Sequence, residues 1–122
     1  MSAYILVLDD DEALRELLEI TLSDEGYAVQ SAATSEEALA MAAQQQPRVI
    51  LFDLTLGNSR GEGFATTYSQ LPNATARLIV VSGAVNIAER AAEMGVDGYL
   101  VKPYELDDLL ATVAKAFSAA ST

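Results

Sequence analysis

The chain has 122 residues, enough for one domain with a single core, and just over half of them are apolar (51%). It contains no cysteine and no histidine, which excludes disulfide scaffolds, thiol catalysis and the commonest general base. Eighteen acidic residues against seven basic ones produce a formal charge of −11, which repels phosphate backbones and anionic lipid. The composition predicts a cytoplasmic single domain over residues 1–122 that binds neither nucleic acid nor membranes directly.

Five short apolar runs predict β-strands, and helical patterns fill the intervals between them. Their β-branched and aromatic residues run without alternation, which is typical of strands buried on both faces of a parallel sheet. The predicted strands lie at residues 5–8, 27–29 (the weakest run), 49–52, 78–81 and 99–101.

The first two helices are predicted from apolar spacing and from capping residues. Gly26 stands where the first helix needs a C-terminal cap. Thr34 and Glu37 form a capping box ahead of an Ala-rich second helix that reaches residue 46. The apolar stripe of the first helix is predicted to consist of Leu14, Leu17, Leu18, Thr21 and Leu22.

The remaining elements follow a polar loop predicted at residues 57–63. A third helix is expected at residues 64–71, and a fourth at residues 87–94 ends at Gly95. Alternating strands and helices predict an α/β fold with a parallel sheet, right-handed crossovers and helices on both faces. The buried face of the last helix is predicted to consist of Leu106, Leu109, Leu110, Val113 and Phe117.

Polar side chains follow four of the five predicted strands. Asp9 and Asp10 follow the first strand, Asp53 the third, Ser82 the fourth and Lys102 the fifth. Doubly wound sheets bind their ligands at the carboxyl ends of the strands, so these side chains are expected to share one crevice.

The chemistry of this set points to a divalent cation and to phosphorus. Two carboxylates about 4 Å apart repel each other by roughly 4 kcal/mol at an effective dielectric constant near 20, so three of them need a cation. Lys102 supplies one positive charge, and Mg²⁺ suits a site built from oxygen ligands. A carboxylate beside Mg²⁺ and a lysine is a candidate nucleophile that forms an aspartyl phosphate.

Four segments, each at a predicted strand end, resemble the receiver domains of bacterial two-component response regulators. They are ILVLDDD at residues 5–11, VILFDL at 49–54, VVSG at 80–83 and GYLVKP at 98–103. The resemblance covers essentially the whole chain and is nearest to chemotaxis response regulators. It implies a flavodoxin-like, doubly wound, five-stranded parallel sheet in the order 2-1-3-4-5, with five helices on its faces. It also implies one receiver domain without an effector domain.

The resemblance assigns a role to each residue of the acidic cluster. Asp53 is similar to the phosphoacceptor of these domains. Asp10 resembles the direct ligand of Mg²⁺ (or Mn²⁺), Asp9 a ligand through water, and the carbonyl of Thr55 a further ligand.

The resemblance also assigns roles around the phosphoryl group. Lys102 would contact it, and the Lys102–Pro103 bond resembles one that is cis in the family. Ser82 would be the hydroxyl that moves towards the phosphoryl group, and Tyr99 the aromatic that follows inward. Gly57 departs from the family, which usually has proline there.

Structural roles remain open as alternatives for several of these residues. Asp11 is expected to cap the first helix, and Ser82 could satisfy a strand-end backbone group. Lys102 could be a solvated turn lysine, and Tyr99 could pack in the core.

The function that the resemblance implies is a signalling switch rather than a metabolic enzyme. The chain would catalyse its own phosphorylation and dephosphorylation, with a histidine kinase or phosphotransfer protein as donor and a downstream protein as target. One alternative is a receiver cut from a larger regulator or hybrid kinase. A phosphohydrolase is disfavoured because Thr55 stands where a second aspartate is expected, and a constitutive docking domain because the site residues are complete.

The charges of the last helix indicate whether two copies of the chain can dimerise through it. Thr112 and Ala114 stand where relatives that dimerise through this helix carry basic residues. Two copies of this acidic face would bring like charges together, which predicts a monomer.

Overall fold

A computed structural model describes residues 3–56 and 59–119, without the side chains of residues 55, 56 and 59–62. Strands and helices alternate along the chain, with one extra pair of short strands before the third helix. The strands are β1 (Ile5–Leu8), β2 (Val29–Ala32), β3 (Val49–Asp53), β4 (Thr55–Leu56), β5 (Ser59–Arg60), β6 (Arg77–Ser82) and β7 (Gly98–Val101). The helices are α1 (Glu12–Asp24), α2 (Ser35–Gln44), α3 (Gly61–Ser69), α4 (Ile87–Met94) and α5 (Leu106–Ala119).

Five of the strands form one parallel sheet in the order β2-β1-β3-β6-β7. Counted within the sheet, this is the predicted order 2-1-3-4-5, and the predicted fold is confirmed. The central strands β1 and β3 are buried along their whole length, as their unbroken apolar sequences predict.

The core forms two layers, one on each face of the sheet. Residues that alternate along β1 pack to opposite sides: Leu6 and Leu8 face α2, α3 and α4, whereas Ile5 and Val7 face α1 and α5. Aromatic contacts strengthen the first layer, where the ring centroids of Phe52 and Phe64 lie 5.5 Å apart.

The second strand begins two residues later than predicted. The Tyr27 N–H donates to the Leu22 carbonyl and the Gly26 N–H to the Ser23 carbonyl, which closes a Schellman motif at the end of α1. Gly26 has a φ of +95°, as this cap requires. Tyr27 therefore belongs to the helix cap, and its ring lies 5.0 Å from Phe117 rather than in the sheet.

The region before α3 is more regular than predicted. Strand β4, just before the predicted loop, pairs with β5 inside it, and α3 begins at Gly61 and ends at Ser69 instead of covering residues 64–71. The apolar pattern starts only at Phe64, which is buried, so it does not reveal the polar residues that open the helix. Gly57 lies outside the described residues.

Two helical stripes are narrower than predicted. Leu17 and Leu106 are exposed, whereas Leu18, Leu22, Leu109 and Val113 are buried. A helix that packs against a sheet buries the residues nearest to the sheet, and Leu17 lies about 100° around the helix from Leu18. In the described part of the chain, no helix is long and apolar enough to cross a membrane.

Candidate functional site

Asp9 directly follows β1 and is held at three of its atoms. Its N–H donates to the Ala32 carbonyl at 3.2 Å, and its Oδ1 accepts from the Asp11 N–H at 2.9 Å. Its carbonyl oxygen accepts from Nη1 of Arg15 at 2.9 Å. Asp9 is only 5% exposed, so it lies inside the crevice rather than at its rim.

The two aspartates that follow have different surroundings. Asp10 is exposed at the start of the turn between β1 and α1. Asp11 is the N-cap of α1, and its Oδ1 accepts from the Leu14 N–H at 3.2 Å. The structural role predicted for Asp11 is therefore confirmed.

Asp53 and Lys102 form the central contact of the crevice. Asp53 is the last residue of β3 and is 9% exposed, and Lys102 directly follows β7. The Lys102 ammonium donates to Oδ2 of Asp53, and the Lys102 backbone N–H donates to the Ser82 carbonyl at 2.8 Å. Lys102 thus points into the site, and it is not a solvated turn lysine.

The surroundings in the crevice raise the pKa values of Lys102 and Asp9. Burial works against the charge of Lys102, but the hydrogen bond to Asp53 and its negative charge hold the pKa of Lys102 above its ordinary value. Burial raises the pKa of Asp9, and the charges of Asp53 and Asp10 raise it further, against the Asp11 N–H and Lys102. The Asp9 carboxylate is therefore repelled by both Asp53 and Asp10.

The donor set fits a hard cation that keeps part of its water shell. Among the described residues, no three acidic side chains converge closely enough to form a complete metal cage. Mg²⁺ needs no such cage, because one or two carboxylates with waters and a phosphate oxygen satisfy it. Asp53 and Asp9 supply buried carboxylates and Asp10 an exposed one. Thr55 begins β4, and its carbonyl stays a predicted ligand.

The two predicted switch residues lie on neighbouring strands. Ser82 ends β6 and is buried, and its Oγ accepts from the Ala84 N–H at 2.9 Å, which is the structural role considered for it. Tyr99 of β7 is 43% exposed, so the alternative that it packs in the core is wrong. The Lys102–Pro103 peptide bond is cis.

Two residues near the site were not identified from the sequence. Tyr104 lines a small cavity with Asp9, Asp53 and Lys102. Burial raises the pKa of Tyr104, Lys102 lowers it, and the charges of Asp9 and Asp53 raise it further. Arg15 reaches the site through the Asp9 carbonyl. No strand-end rule singles out either residue, because one follows Pro103 and the other lies inside α1.

Comparison with known proteins identifies the class to which this fold and site belong. The sequence profile of the response regulator receiver domain matches residues 5–114. The chain belongs to this family, whose members act in two-component signalling with histidine kinases and downstream effectors. Receiver domains generally depend on Mg²⁺.

Similar individual proteins come from several organisms. The response regulator MprA of Mycobacterium bovis is 37% identical over 117 residues, which cover 91% of this chain and 49% of MprA. The chain thus spans about half the length of the curated relatives it matches.

Two solved structures share the fold over nearly the whole chain. A CheY-like receiver domain protein of Methanospirillum hungatei has a TM-score of 0.88 and 28% identity, over 99% of this chain and 98% of that one. The receiver domain of NtrX from Brucella abortus has a TM-score of 0.85 and 29% identity, over 93% and 98%.

Proposed function

We propose that this chain is a phosphorylation-controlled switch that accepts a phosphoryl group on Asp53 from a histidine kinase or phosphotransfer protein. The observation that carries the proposal is the contact between Lys102 and the buried Asp53 carboxylate, with Asp9 beside them. A carboxylate with a fixed ammonium partner at the carboxyl edge of an α/β sheet suits phosphoryl transfer.

Each side chain has a definite part in that reaction. An Asp53 carboxylate oxygen attacks phosphorus while the bond from phosphorus to the donor nitrogen breaks and its electron pair leaves with the donor. The Lys102 ammonium, already directed at Asp53, stabilises the negative charge on the transferring oxygens. The result is an aspartyl phosphate, and attack by water on its phosphorus restores Asp53.

Asp9, Asp10 and the Thr55 carbonyl are the residues that would hold Mg²⁺ together with Asp53. The bound ion supplies positive charge beside the phosphoryl oxygens. Asp9 is buried and anchored by the Asp11 N–H, so it suits indirect coordination through water, whereas the exposed Asp10 suits direct contact.

The output step is assigned to Ser82 and Tyr99. The Ser82 hydroxyl gives up its contact with the Ala84 N–H to bind the phosphoryl group, and the exposed Tyr99 turns inward. A hydrogen bond to a charged group is more favourable than a neutral one by roughly 1 kcal/mol. That difference is enough to shift an equilibrium between two conformations of this surface. A downstream protein then recognises the altered face, in a cytoplasmic setting and without direct contact to nucleic acid.

The experiment is phosphorylation by acetyl phosphate, read by intact mass with and without Mg²⁺. One phosphoryl group per chain is expected, only with the cation, and none on Asp53→Asn. Asp97→Asn, which changes an aspartate that pairs with Arg77 at the opposite end of the sheet, is the matched control and should be labelled normally. Equal labelling of Asp53→Asn and the wild type would refute the assignment of the nucleophile.

A further inference from the structure

Arg15 of α1 reaches back six residues to the turn that carries the site's aspartates. Its Nη1 donates to the Asp9 carbonyl oxygen at 2.9 Å, and the side chain is half-buried. Side chains on a helix lean towards its N-terminus, which directs Arg15 onto the turn that precedes α1. Nothing in the proposed chemistry uses this guanidinium, although it lies next to the acidic cluster.

The bond acts on the orientation of Asp10. The Asp9 carbonyl belongs to the peptide unit that joins Asp9 to Asp10, and that unit is planar. Fixing the carbonyl oxygen therefore fixes the plane from which Asp10 starts. The same turn also carries the hydrogen bond from the Asp11 N–H to Oδ1 of Asp9. The Arg15 contact therefore restrains the backbone from which the exposed Asp10 side chain leaves.

We infer that Arg15 is a positioning residue for divalent-cation binding, holding the Asp9–Asp10 peptide so that both carboxylates serve one ion. The inference rests on the proposed function of the site. Among the described residues, Arg15 bonds a backbone oxygen and no carboxylate, so its part is to orient the turn.

Electrostatics alone predicts the opposite effect of Arg15. A guanidinium beside a cation site repels the cation, so its removal would tighten Mg²⁺ binding if charge were its only contribution. Loss of orientation weakens binding, as it does when a residue that supports a metal ligand is removed. The sign of the change in affinity therefore separates the two explanations.

The test compares Mg²⁺ affinities of three variants with that of the wild type, by titration of amide NMR shifts. Arg15→Met keeps the aliphatic stem and loses the donor, and we expect the Mg²⁺ dissociation constant to rise roughly tenfold. Arg15→Lys keeps a single charged donor, and its Mg²⁺ dissociation constant should lie between those of the wild type and Arg15→Met. Lys115→Met removes one positive charge from an exposed site on α5 and should leave the constant unchanged.

A second readout needs no metal. In the metal-free protein, exchange of the Asp11 N–H with water should be faster in Arg15→Met than in the wild type and unchanged in Lys115→Met, because the turn that presents Oδ1 of Asp9 to that N–H is loosened.

The outcomes separate this inference from the proposed function. An unchanged or lower Mg²⁺ dissociation constant in Arg15→Met, or unchanged exchange of the Asp11 N–H, overturns the inference while wild-type labelling of Asp53 stands. A wild type that neither binds Mg²⁺ nor becomes labelled overturns the proposed function, and the metal-free exchange still decides whether Arg15 orients the turn.

Discussion

The two ends of the central sheet place their polar side chains in opposite electrostatic situations. At the amino end, the Tyr4 hydroxyl donates to the Gln45 carbonyl at 2.6 Å. The Tyr68 hydroxyl donates to Gln46 at 2.6 Å and accepts from the Ala76 N–H at 2.8 Å. At the carboxyl end, the Asp9 carboxylate is repelled by those of Asp53 and Asp10, and the Lys102 ammonium contacts Asp53.

The difference shows that hydrogen bonding and charge compensation are separate requirements. At both ends, buried polar side-chain atoms of the described residues have hydrogen-bond partners. At the amino end the partners are mostly neutral, or paired as Arg77 is with Asp97 at 3.0 Å. At the carboxyl end like charges remain together, and a site that keeps such repulsion is arranged for a ligand of opposite charge.

The largest expected effect comes from removing the Lys102 ammonium at the carboxyl end of the sheet. Lys102→Ala should slow labelling by acetyl phosphate at least a hundredfold, because it removes the ammonium that stabilises the transferring charge. Because Lys102 is partly exposed, its truncation should leave no cavity in the core. Thermal unfolding should therefore show an intact fold. Lys115→Ala is the control. If beryllofluoride, a phosphoryl mimic, changed the spectrum of Lys102→Ala as it changes that of the wild type, the role of Lys102 in the switch would be contradicted.

A neutral change at the amino end should affect stability and leave chemistry alone. Tyr68→Phe should lower the free energy of unfolding by about 1–2 kcal/mol, because the Ala76 N–H and Gln46 lose their shared partner. Tyr99→Phe, which alters an exposed hydroxyl, should change it by less than about 0.5 kcal/mol. Urea denaturation measures both variants. A Tyr68→Phe protein as stable as the wild type would show that the amino-end network contributes little.

Matched substitutions of one aspartate at each end of the sheet should change the free energy of unfolding in opposite directions. Asp9→Asn should stabilise the metal-free protein by roughly 1 kcal/mol at pH 7, since it removes a buried charge that its neighbours repel. Asp97→Asn should destabilise it by a similar amount, since it weakens the bonds to Arg77 and to the Leu78 N–H at 2.8 Å.

The advantage of Asp9→Asn should depend on pH in a defined direction. The folded-state pKa of Asp9 is raised, so the charged carboxylate disfavours the folded state above that pKa. As the pH falls from the raised pKa to 3.8, the ordinary pKa of an aspartate, the Asp9 carboxyl of the folded protein takes up its proton. The stability advantage of Asp9→Asn should then disappear. Denaturation curves across this range measure the effect, and a constant advantage would show that the pKa of Asp9 is not raised in the folded state.

The smallest expected effect is on assembly. The exposed helix faces of α4 and α5 carry Glu89, Glu93, Asp107 and Asp108, so pairing two copies through them brings like charges together. We expect light scattering at near-physiological salt to show a monomer with and without beryllofluoride. A shift to a dimer that is lost on mutating α5 would contradict this.

Much of the site could be predicted because a strand end is a local feature. Asp9, Asp53, Ser82 and Lys102 each stand directly after an apolar run, and parallel pairing carries them to one edge of the sheet. The exact start of β2 and the first turn of α3 were mispredicted, because a helix cap and a polar helical turn carry no apolar periodicity. A single receiver domain without an effector domain stays a prediction.

The sequence by itself determined how the five sheet strands alternate with the five helices and the edge at which the reactive groups gather, and its resemblance to receiver domains supplied the order of the strands in the sheet. Tertiary structure alone decided how deeply each group lies and what it touches. Asp9 and Asp10 are neighbours in sequence, yet one is buried and the other exposed. Arg15 joins the site through a backbone oxygen, and such a contact depends on the path of the chain in space, which no residue pattern records.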